Sequence, residues 1–598
     1  MNVASANTTS RPREPPTRRA LSDAWALSRP FWLDSNERRS WAMLLAVVAL
    51  TLIAVWLNVR FSLWNNAFYD ALQKHDLAAF WKQIGVFCAL ATGFIVAAVY
   101  RQYLQQLLVM RWRTRLTDHL LQQWLQPGTA YRIATRGAGA PDNPDQRISD
   151  DASSFATLTL DLSLGLLNAC VTLGSFVGML WGLSGTLSIG QGLQIHGYMV
   201  WVAIAYSLGG SWINHRLGRR LTKVSGQQQQ VEADFRYTLV QVRDHAESIA
   251  LAGGERREHA RLALGFEAIR ANWSTLIRLT KRLTWFGAGY GQIAIVFPLL
   301  VAAPRYFAGA LQLGGLMQTA QAFGQVQGAL SWFVNAYSSL ASWRATVLRL
   351  VGFVGAMSAD SVEAAPTSIR RVTRSGDAIA VSALTVAAPN GRALVSVPAR
   401  RLDRGEHLLI SGPSGGGKSS IVRAIAGIWR EGSGVVEVPA ASTLMFVPQR
   451  PYLPDGTLRE ALAYPHDARE FSTEAVNRVA LLAGLRRYAA QLDAPRRWSA
   501  LLSPGEQQRV HFARVMLQCP DWVFLDESTS ALDETAEREL YAGLRTECPA
   551  TTVVSVGHRS TLVSLHSRRW SVGPLAVRKR AGTEAVVRDG LLLEPALP

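Results

Sequence analysis

The stretch 410–420, ISGPSGGGKSS, constrains this chain more than any other. Gly412, four further residues and then Gly417-Lys418-Ser419 give the spacing G-x-x-x-x-G-K-[ST]. An apolar run ending at Ile410 precedes the loop, and a helix-like run over 420–428 follows it. In that setting glycines let the backbone curl until successive N–H groups point at phosphate oxygens, and the start of the next helix adds partial positive charge. Gly412, Pro413, Ser414, Gly415, Gly416, Gly417 and Ser420 are therefore expected around the phosphates of a nucleoside triphosphate. Lys418 is placed to neutralise the β- and γ-phosphates, and Ser419 to ligate Mg2+. Strand, glycine loop and helix in this order imply an α/β domain.

At 598 residues the chain must hold more than that domain. Six apolar segments occupy its N-terminal half, at 41–57, 84–100, 162–183, 196–213, 285–303 and about 316–340. Each is near the ~20 residues that cross a ~30 Å hydrocarbon layer. The last carries Gln318, Gln321, Gln325 and Gln327, too polar for lipid on all sides, so it must face protein or a water-filled path. The 19 tryptophans suit the two membrane interfaces.

A formal net charge of +18 has two readings, nucleic-acid binding or basic cytoplasmic loops. Placement decides. Arg11, Arg13, Arg18, Arg19, Arg29, Arg38 and Arg39 precede the first segment. Arg101, Arg111, Arg113 and Arg115 follow the second. Arg216, Arg219, Arg220, Lys223, Arg278, Lys281 and Arg282 flank the fourth-to-fifth connection. The connection at 184–194 has no Lys or Arg, and the fifth-to-sixth turn has only Arg305. This asymmetry puts the N-terminus and the two long connections in the cytoplasm, and a nucleic-acid partner is not needed. Those connections look helical, over 104–125 and 227–264. The expected architecture is a disordered cytoplasmic lead at 1–30 and an all-α, six-helix transmembrane domain at 31–352. A linker at 353–377 and an α/β nucleotide-binding domain at 378–598 complete it. Cys88, Cys170, Cys519 and Cys548 show no metal-ligand spacing, so neither a disulfide framework nor a zinc site is indicated.

A second motif, WVFLDE at 522–527, reads as an apolar strand ending in two carboxylates. Asp526 is placed to hold Mg2+, and Glu527 to polarise the water that attacks the γ-phosphate. Between the two motifs lies Leu502-Ser503-Pro504-Gly505-Glu506, followed by Gln507-Gln508-Arg509. This stretch resembles the LSGGQ signature of ABC ATPases. The order phosphate loop, Gln449, signature, Asp526-Glu527, Ser530-Ala531-Leu532-Asp533, His558 is similar to the order in that family throughout. The resemblance implies ATP as nucleotide, Gln449 as a lid-loop ligand to Mg2+, and His558 as a switch residue at the γ-phosphate. It also implies that Ser503 and Gly505 contact the γ-phosphate of a nucleotide bound on a second subunit, with Glu506 and Asp533 among the nucleotide-binding residues. One ATPase domain per chain then implies a homodimer. Two departures stand out. Pro504 replaces a glycine and Glu506 a glutamine, and Ala387-Ala388 occupy the place where an aromatic commonly stacks on adenine.

In the membrane half, Asn66-Ala-Phe-Tyr-Asp-Ala-Leu-Gln73, the run Asp142-Asn143-Pro144-Asp145-Gln146-Arg147-Ile148, and the stretches at 232–237 and 247–255 resemble one branch of ABC half-transporters. That branch is the bacterial uptake family of cobalamin, bleomycin and antimicrobial-peptide transporters; peroxisomal acyl-CoA half-transporters share much of the pattern. It implies ATP-driven movement of a cobalamin-, bleomycin- or peptide-like hydrophilic solute across a bacterial inner membrane. Membrane lipid and a small-molecule or peptide substrate are then the partners. An acyl-CoA cargo and a non-transporting membrane ATPase are the alternatives.

Overall fold

The computed structural model describes residues 17–34, 37–135, 143–189, 193–358, 368–573, 577–580 and 583–586. They form two compact units, one of 1–122 with 142–354, the other of 123–141 with 355–598.

The first unit is helical. Its elements are α1 (Thr17–Trp32), α2 (Arg38–Gln73) and α3 (Leu77–Trp124), then, after α4 (Thr129–Thr135) of the second unit, α5 (Pro144–Ser184), α6 (Tyr198–Asp244), α7 (Ala246–Ala252), α8 (Glu255–Phe307) and α9 (Leu313–Ser358). A short antiparallel hairpin, β1 (Thr186–Ile189) with β2 (Leu193–His196), joins α5 to α6. Among the described residues five helices are long and apolar enough to cross a membrane: α2, α3, α5, α8 and α9. From Tyr198 on, the segment at 196–213 lies in α6, a continuous helix of 47 residues that is not one of the five. Gly209, Gly210, Ser211 and Asn214 dilute its apolar character.

The structure corrects the expected map in several places. The lead is not disordered through residue 30, because α1 begins at Thr17; residues 1–16 of that lead lie outside the described residues. Phe31 stacks on Trp112 of α3 with ring centroids 5.8 Å apart, and Trp112 meets Phe155 of α5 edge-on at 5.5 Å. Burial of these rings supplies more than helix propensity does. The stretch at 227–264 is not one helix but the end of α6, the short α7 and the start of α8. Gly253, at φ +61, terminates α7 in the left-handed conformation that glycine adopts freely. Likewise Asn143, at φ 49, precedes α5 and makes no side-chain cap to it; Asp142 lies outside the described residues.

Four amide side chains of the helical unit are paired with each other. Asn65 Nδ2 donates to Gln321 Oε1 at 3.0 Å, and Asn66 Nδ2 to Gln318 Oε1 at 2.6 Å. At the start of α9 the Gly314 N–H donates to Asp70 Oδ1 at 2.9 Å and the Leu313 N–H to Gln73 Oε1 at 2.8 Å. Asn66, Asp70 and Gln73 lie about one and two turns apart on one face of α2, so a neighbouring helix satisfies the orphan N–H groups that α9 cannot satisfy itself. A Cβ at Gly314 would sit 2.1 Å from the Asn66 carbonyl, so only glycine permits this approach.

The start of α5 carries a charge cluster. Arg147–Asp151 is a π-helical turn in which Arg147 Nη1 reaches Asp151 Oδ2 at 2.8 Å. Arg349 of α9 donates to both Asp151 oxygens, at 2.9 and 2.6 Å. Asp151 is buried, and removing one member of a buried charge group is costly because its partners lose their compensation. Asp151→Asn is therefore expected to cost about 3 kcal/mol. The check is the thermal unfolding midpoint in lipid nanodiscs; an unshifted midpoint would show that the cluster does not hold α5 to α9.

In the second unit α4 packs on the α/β body rather than with the helices to which 31–352 assigned it. Gly128, at φ +75, leads into α4, and a Cβ there would lie 3.7 Å from Ile428. The expected linker at 353–377 is also shorter. Helix α9 runs to Ser358 and β3 (Arg370–Arg374) is already part of the sheet, while residues 359–367 lie outside the described ones. The strands that follow are β4 (Ile379–Ala387), β5 (Ala393–Val397), β6 (Arg400–Leu402), β7 (Leu408–Ser411), β8 (Gly432–Pro439), β9 (Leu444–Val447), β10 (Trp522–Asp526), β11 (Thr552–Val556) and β12 (Arg568–Ser571). A hairpin of β13 (Val577–Arg580) and β14 (Thr583–Val586) ends the described chain. The central sheet, in the order β12-β7-β11-β10-β9, is parallel throughout. A second sheet, β3-β8-β4-β5 with β6 on β4, lies in the same unit.

Alternation along the parallel strands feeds two cores. Leu409, Val523, Leu525 and Val553 pack with Val510, Phe512, Leu540 and Leu544 of the helical layer. Leu408, Ile410, Trp522, Phe524, Val554 and Val556 pack with Val381, Leu384 and Val436 of the second sheet. Strands buried on both faces read as continuous apolar runs, as β7 and β10 do. One further correction concerns the cysteines. Cys519 and Cys548 form a disulfide although their spacing gave no sign of one. They end two packed helices, α11 (Pro504–Gln518) and α12 (Glu534–Glu547), and that packing brings them together.

Candidate active site

Parallel strands place their C-terminal ends on one edge of the sheet, where ligands of open α/β folds bind. From β7 that edge carries the phosphate loop, from β9 Gln449, from β10 Asp526 and Glu527, and from β11 His558. Residues far apart in sequence thus meet because their strands run in register.

The loop leads into α10 (Lys418–Ala426), which starts two residues before the expected helix. A Cβ at Gly412 would fall 2.0 Å from the Val572 carbonyl, and one at Gly417, φ +83, would fall 2.8 Å from Val395. Both positions therefore admit glycine alone. Lys418 is buried, and its Nζ donates to the carbonyls of Gly412 and Pro413 at 3.0 and 2.9 Å, folded over the loop. Ser419 Oγ donates to Asp526 Oδ1 at 2.9 Å. Gln449 Nε2 donates to Glu527 Oε2 at 3.1 Å. Lys418, Ser419, Gln449, Asp526 and Glu527 are thus brought together.

Glu527 is not the last residue of the strand, as its motif suggested. It lies one residue beyond β10, at φ +47, with its N–H donating to the Val556 carbonyl at 3.0 Å. A left-handed non-glycine residue costs about 1 kcal/mol or more, and such positions cluster at functional sites. Burial pushes the Asp526 carboxyl above its usual range, and the Glu527 charge adds to this. The Ser419 hydrogen bond and the Arg423 and Lys418 charges oppose the shift without cancelling it. A buried carboxylate left short of positive charge, beside a serine hydroxyl and an amide, is a donor set that suits Mg2+. Among the described residues no group of three or more His, Cys, Asp or Glu side chains gathers for a metal, so phosphate oxygens and water would complete such a shell.

The signature region explains both of its own departures. Ser503 is the N-cap of α11, and Pro504 occupies the first helical position, where the missing N–H has no partner to lose. Glu506 is the third helical residue and closes a capping box. Its Oε2 accepts from the Ser503 N–H at 2.9 Å, and the Glu506 N–H donates to Ser503 Oγ at 3.3 Å. Among the described residues no hydrogen bond joins 503–506 to the phosphate loop. These residues lie instead against the 530–533 segment, where a Cβ at Gly505 would come 3.1 Å from the Ala531 carbonyl.

Three residues to which sequence reasoning gave no role hold that segment. Gln508 donates to Ser530 Oγ at 3.0 Å and accepts from the Ala531 N–H at 2.9 Å. Arg559 donates to the carbonyls of Leu532 and Ser530 at 2.7 and 3.0 Å. Glu537, fully buried, accepts from the hydroxyls of Thr529 and Thr561. The signal was present in Gln508 and Arg559, which adjoin motifs already named, but their contacts are tertiary. Asp533 serves as N-cap of α12, accepting from the Ala536 N–H at 2.7 Å. His558 is exposed. At the expected adenine position, Ala387 ends β4 and its carbonyl accepts from Trp429 Nε1 at 2.9 Å, while Ala388 opens a tight turn to Arg392.

Comparison with known proteins gives the same division of the chain. The family model for the ABC transporter transmembrane region 2 matches residues 33–307, and the model described as ABC transporter matches 399–530. The inner membrane ABC transporter ATP-binding protein YddA of Escherichia coli is 33% identical, over 89% of this chain and 94% of that protein. The human lysosomal cobalamin transporter ABCD4 is 25% identical, over 90% and 92% respectively. Among solved structures, a bacterial Atm1-family ABC exporter with ATP bound superposes with a TM-score of 0.68 at 18% identity, over 90% of this chain and 94% of that one. At that identity the likeness concerns the fold.

Proposed function

This chain belongs to the ABC transporters, one transmembrane region fused to one ATPase domain that couples ATP hydrolysis to transport, and from that premise we propose that it moves a hydrophilic solute across the bacterial inner membrane as a homodimer. In this reading Gly412 to Ser420 cradle the phosphates and Lys418 exchanges its loop carbonyls for phosphate oxygens. Ser419, Gln449 and Asp526 would hold Mg2+, which when bound neutralises phosphate charge. Glu527 polarises the attacking water, and His558 meets the γ-phosphate from the adjoining strand. Ser503 and Gly505 complete the partner subunit's site head to tail, with Glu506 and Asp533 beside them. That last assignment is supported by their position on α11, against the 530–533 segment rather than the phosphate loop.

Helix α6 serves as the sixth spanning helix. Its 47 residues exceed the ~20 that a crossing needs, and the transmembrane family model runs through it. The N-terminus and the ATPase domain lie in the cytoplasm, in keeping with the basic residues of the long connections. The observation that favours a hydrophilic cargo is the amide seam of Asn65 and Asn66 with Gln318 and Gln321. Polar groups within a spanning segment are costly and mark solute paths, and Gln318 and Gln321 lie in the last apolar segment. The naming of one relative as a cobalamin transporter points the same way.

The test is ATP hydrolysis by the full chain in lipid nanodiscs, with cobalamin, bleomycin, a proline-rich peptide or an acyl-CoA added separately. Stimulation by one of the first three is the expected result. Stimulation by the acyl-CoA alone would move the cargo to the lipid-derived class, and turnover indifferent to all four would remove the cargo assignment.

A further inference from the structure

The signature of this chain carries a carboxylate where a nucleotide's terminal phosphate is expected to dock. Glu506 Oε2 accepts from both the N–H and the Oγ of Ser503, each at 2.9 Å, so the serine hydroxyl is spent on its own helix cap. Two costs follow if this surface receives a phosphate from a second subunit. The hydroxyl must be released from Glu506 before it can donate to the phosphate. The carboxylate also repels that phosphate at short range. A glutamine here would raise neither objection, being uncharged and a weaker acceptor.

The structure holds a compensating group. Arg487 Nη1 lies 3.3 Å from Glu506 Oε1, the oxygen that faces away from Ser503, and Tyr488 Oη donates to the same oxygen at 3.2 Å. Tyr488 is itself buried, edge-on to Trp498 with centroids 5.5 Å apart, and the Arg487 guanidinium lies 4.7 Å from the Tyr488 ring centroid. A fixed aromatic thus seats the arginine beside the carboxylate, with cation–π attraction adding to the ion pair. Burial raises the Glu506 carboxyl, but the Ser503 N–H and hydroxyl, the Arg487 charge and Tyr488 together outweigh it and hold the group below its usual range. It is ionised at neutral pH, and so it needs a counter-charge.

We propose that Arg487 is a positioning residue for the ATP site: by pairing with Oε1 it offsets the charge of Glu506, lowering both the repulsion of an incoming phosphate and the hold of Oε2 on the Ser503 hydroxyl, so that Ser503 can turn to the terminal phosphate of ATP held by the partner subunit. This role rests on the head-to-tail reading above. Arg487 touches no reacting atom. Its effect reaches the nucleotide only through Glu506, and that dependence is what an experiment can read.

The measurement is ATP occlusion by the full chain in nanodiscs, in the Glu527→Gln background, scored as radiolabelled ATP retained after rapid desalting across a range of Mg-ATP concentrations. Arg487→Gln is expected to raise the half-saturating ATP concentration about fivefold, and by less at high salt, because the pair is exposed on the arginine side and screened. Arg487→Lys, which keeps the charge, should recover most of the loss. With Glu506→Gln also present, Arg487→Gln should have no effect. An equal Arg487→Gln effect with glutamine at 506, or none at all with glutamate there, would overturn the proposal and leave the head-to-tail site standing. No occlusion in the Glu527→Gln parent would instead overturn the head-to-tail reading, and this role with it.

Discussion

Glu527→Gln is expected to leave nucleotide binding intact and to reduce steady ATP turnover by about a hundredfold or more, the usual contribution of a positioned general base. The substitution is nearly isosteric, so Gln449 keeps a partner within reach of its amide and the strained backbone at φ +47 is unchanged. What disappears is the basic lone pair. The two readouts are phosphate release and equilibrium binding of ATP, measured on the same nanodisc preparation. Hydrolysis near the parent rate would place the base elsewhere on the sheet edge. Loss of binding together with turnover would mean that Glu527 acts on the fold of the site rather than on its chemistry.

The second large effect belongs to Lys418→Ala. Lys418 is buried and its ammonium is held by two loop carbonyls, a geometry that needs little rearrangement to present it to phosphate oxygens. Hydrogen bonds to charged groups contribute about 1.5–3 kcal/mol, so ATP affinity should fall roughly 10- to 100-fold. The loop glycines, the backbone N–H groups and the start of α10 all remain, which is why the loss is not larger. ATP affinity equal to that of the unsubstituted chain would overturn the phosphate-loop assignment. The two variants separate the two halves of the site, because one removes chemistry without binding and the other removes binding first.

Much of this site is legible in sequence because local chemistry demands it. A loop that curls round phosphates needs glycine at Gly412 and Gly417, and the structure gives the reason: any side chain there would strike Val572 or Val395. The apolar run before Asp526 is legible because a strand buried on both faces must be apolar throughout. The signature departures were visible as departures. Only the capping box turned Pro504 and Glu506 from oddities into a helix start, and only the contact with Arg487 gave Glu506 a counter-charge.

The membrane half was less legible. Its apolar segments show by composition, but their ends do not, since α3 and α8 continue far beyond the apolar stretch as one helix. The polar glutamines of the last segment demanded a partner without naming it. Asn65 and Asn66, more than 250 residues earlier, were that partner. The charge cluster on Asp151, the disulfide of Cys519 with Cys548 and the packing of α4 on the ATPase body were invisible for the same reason.

Sequence alone determined what each segment must be. It set which runs are apolar enough for lipid, which loop can hold phosphate, and which strand ends in carboxylates, because those properties depend on a residue and its near neighbours. The tertiary structure decided what each segment meets. Parallel registration of β7, β9, β10 and β11 gathered Lys418, Gln449, Glu527 and His558 on one edge, and helix packing set Asp70 against the start of α9. Pairing across hundreds of residues leaves no local trace, because a hydrogen bond or an ion pair requires only that two groups meet, not that they be near in the chain.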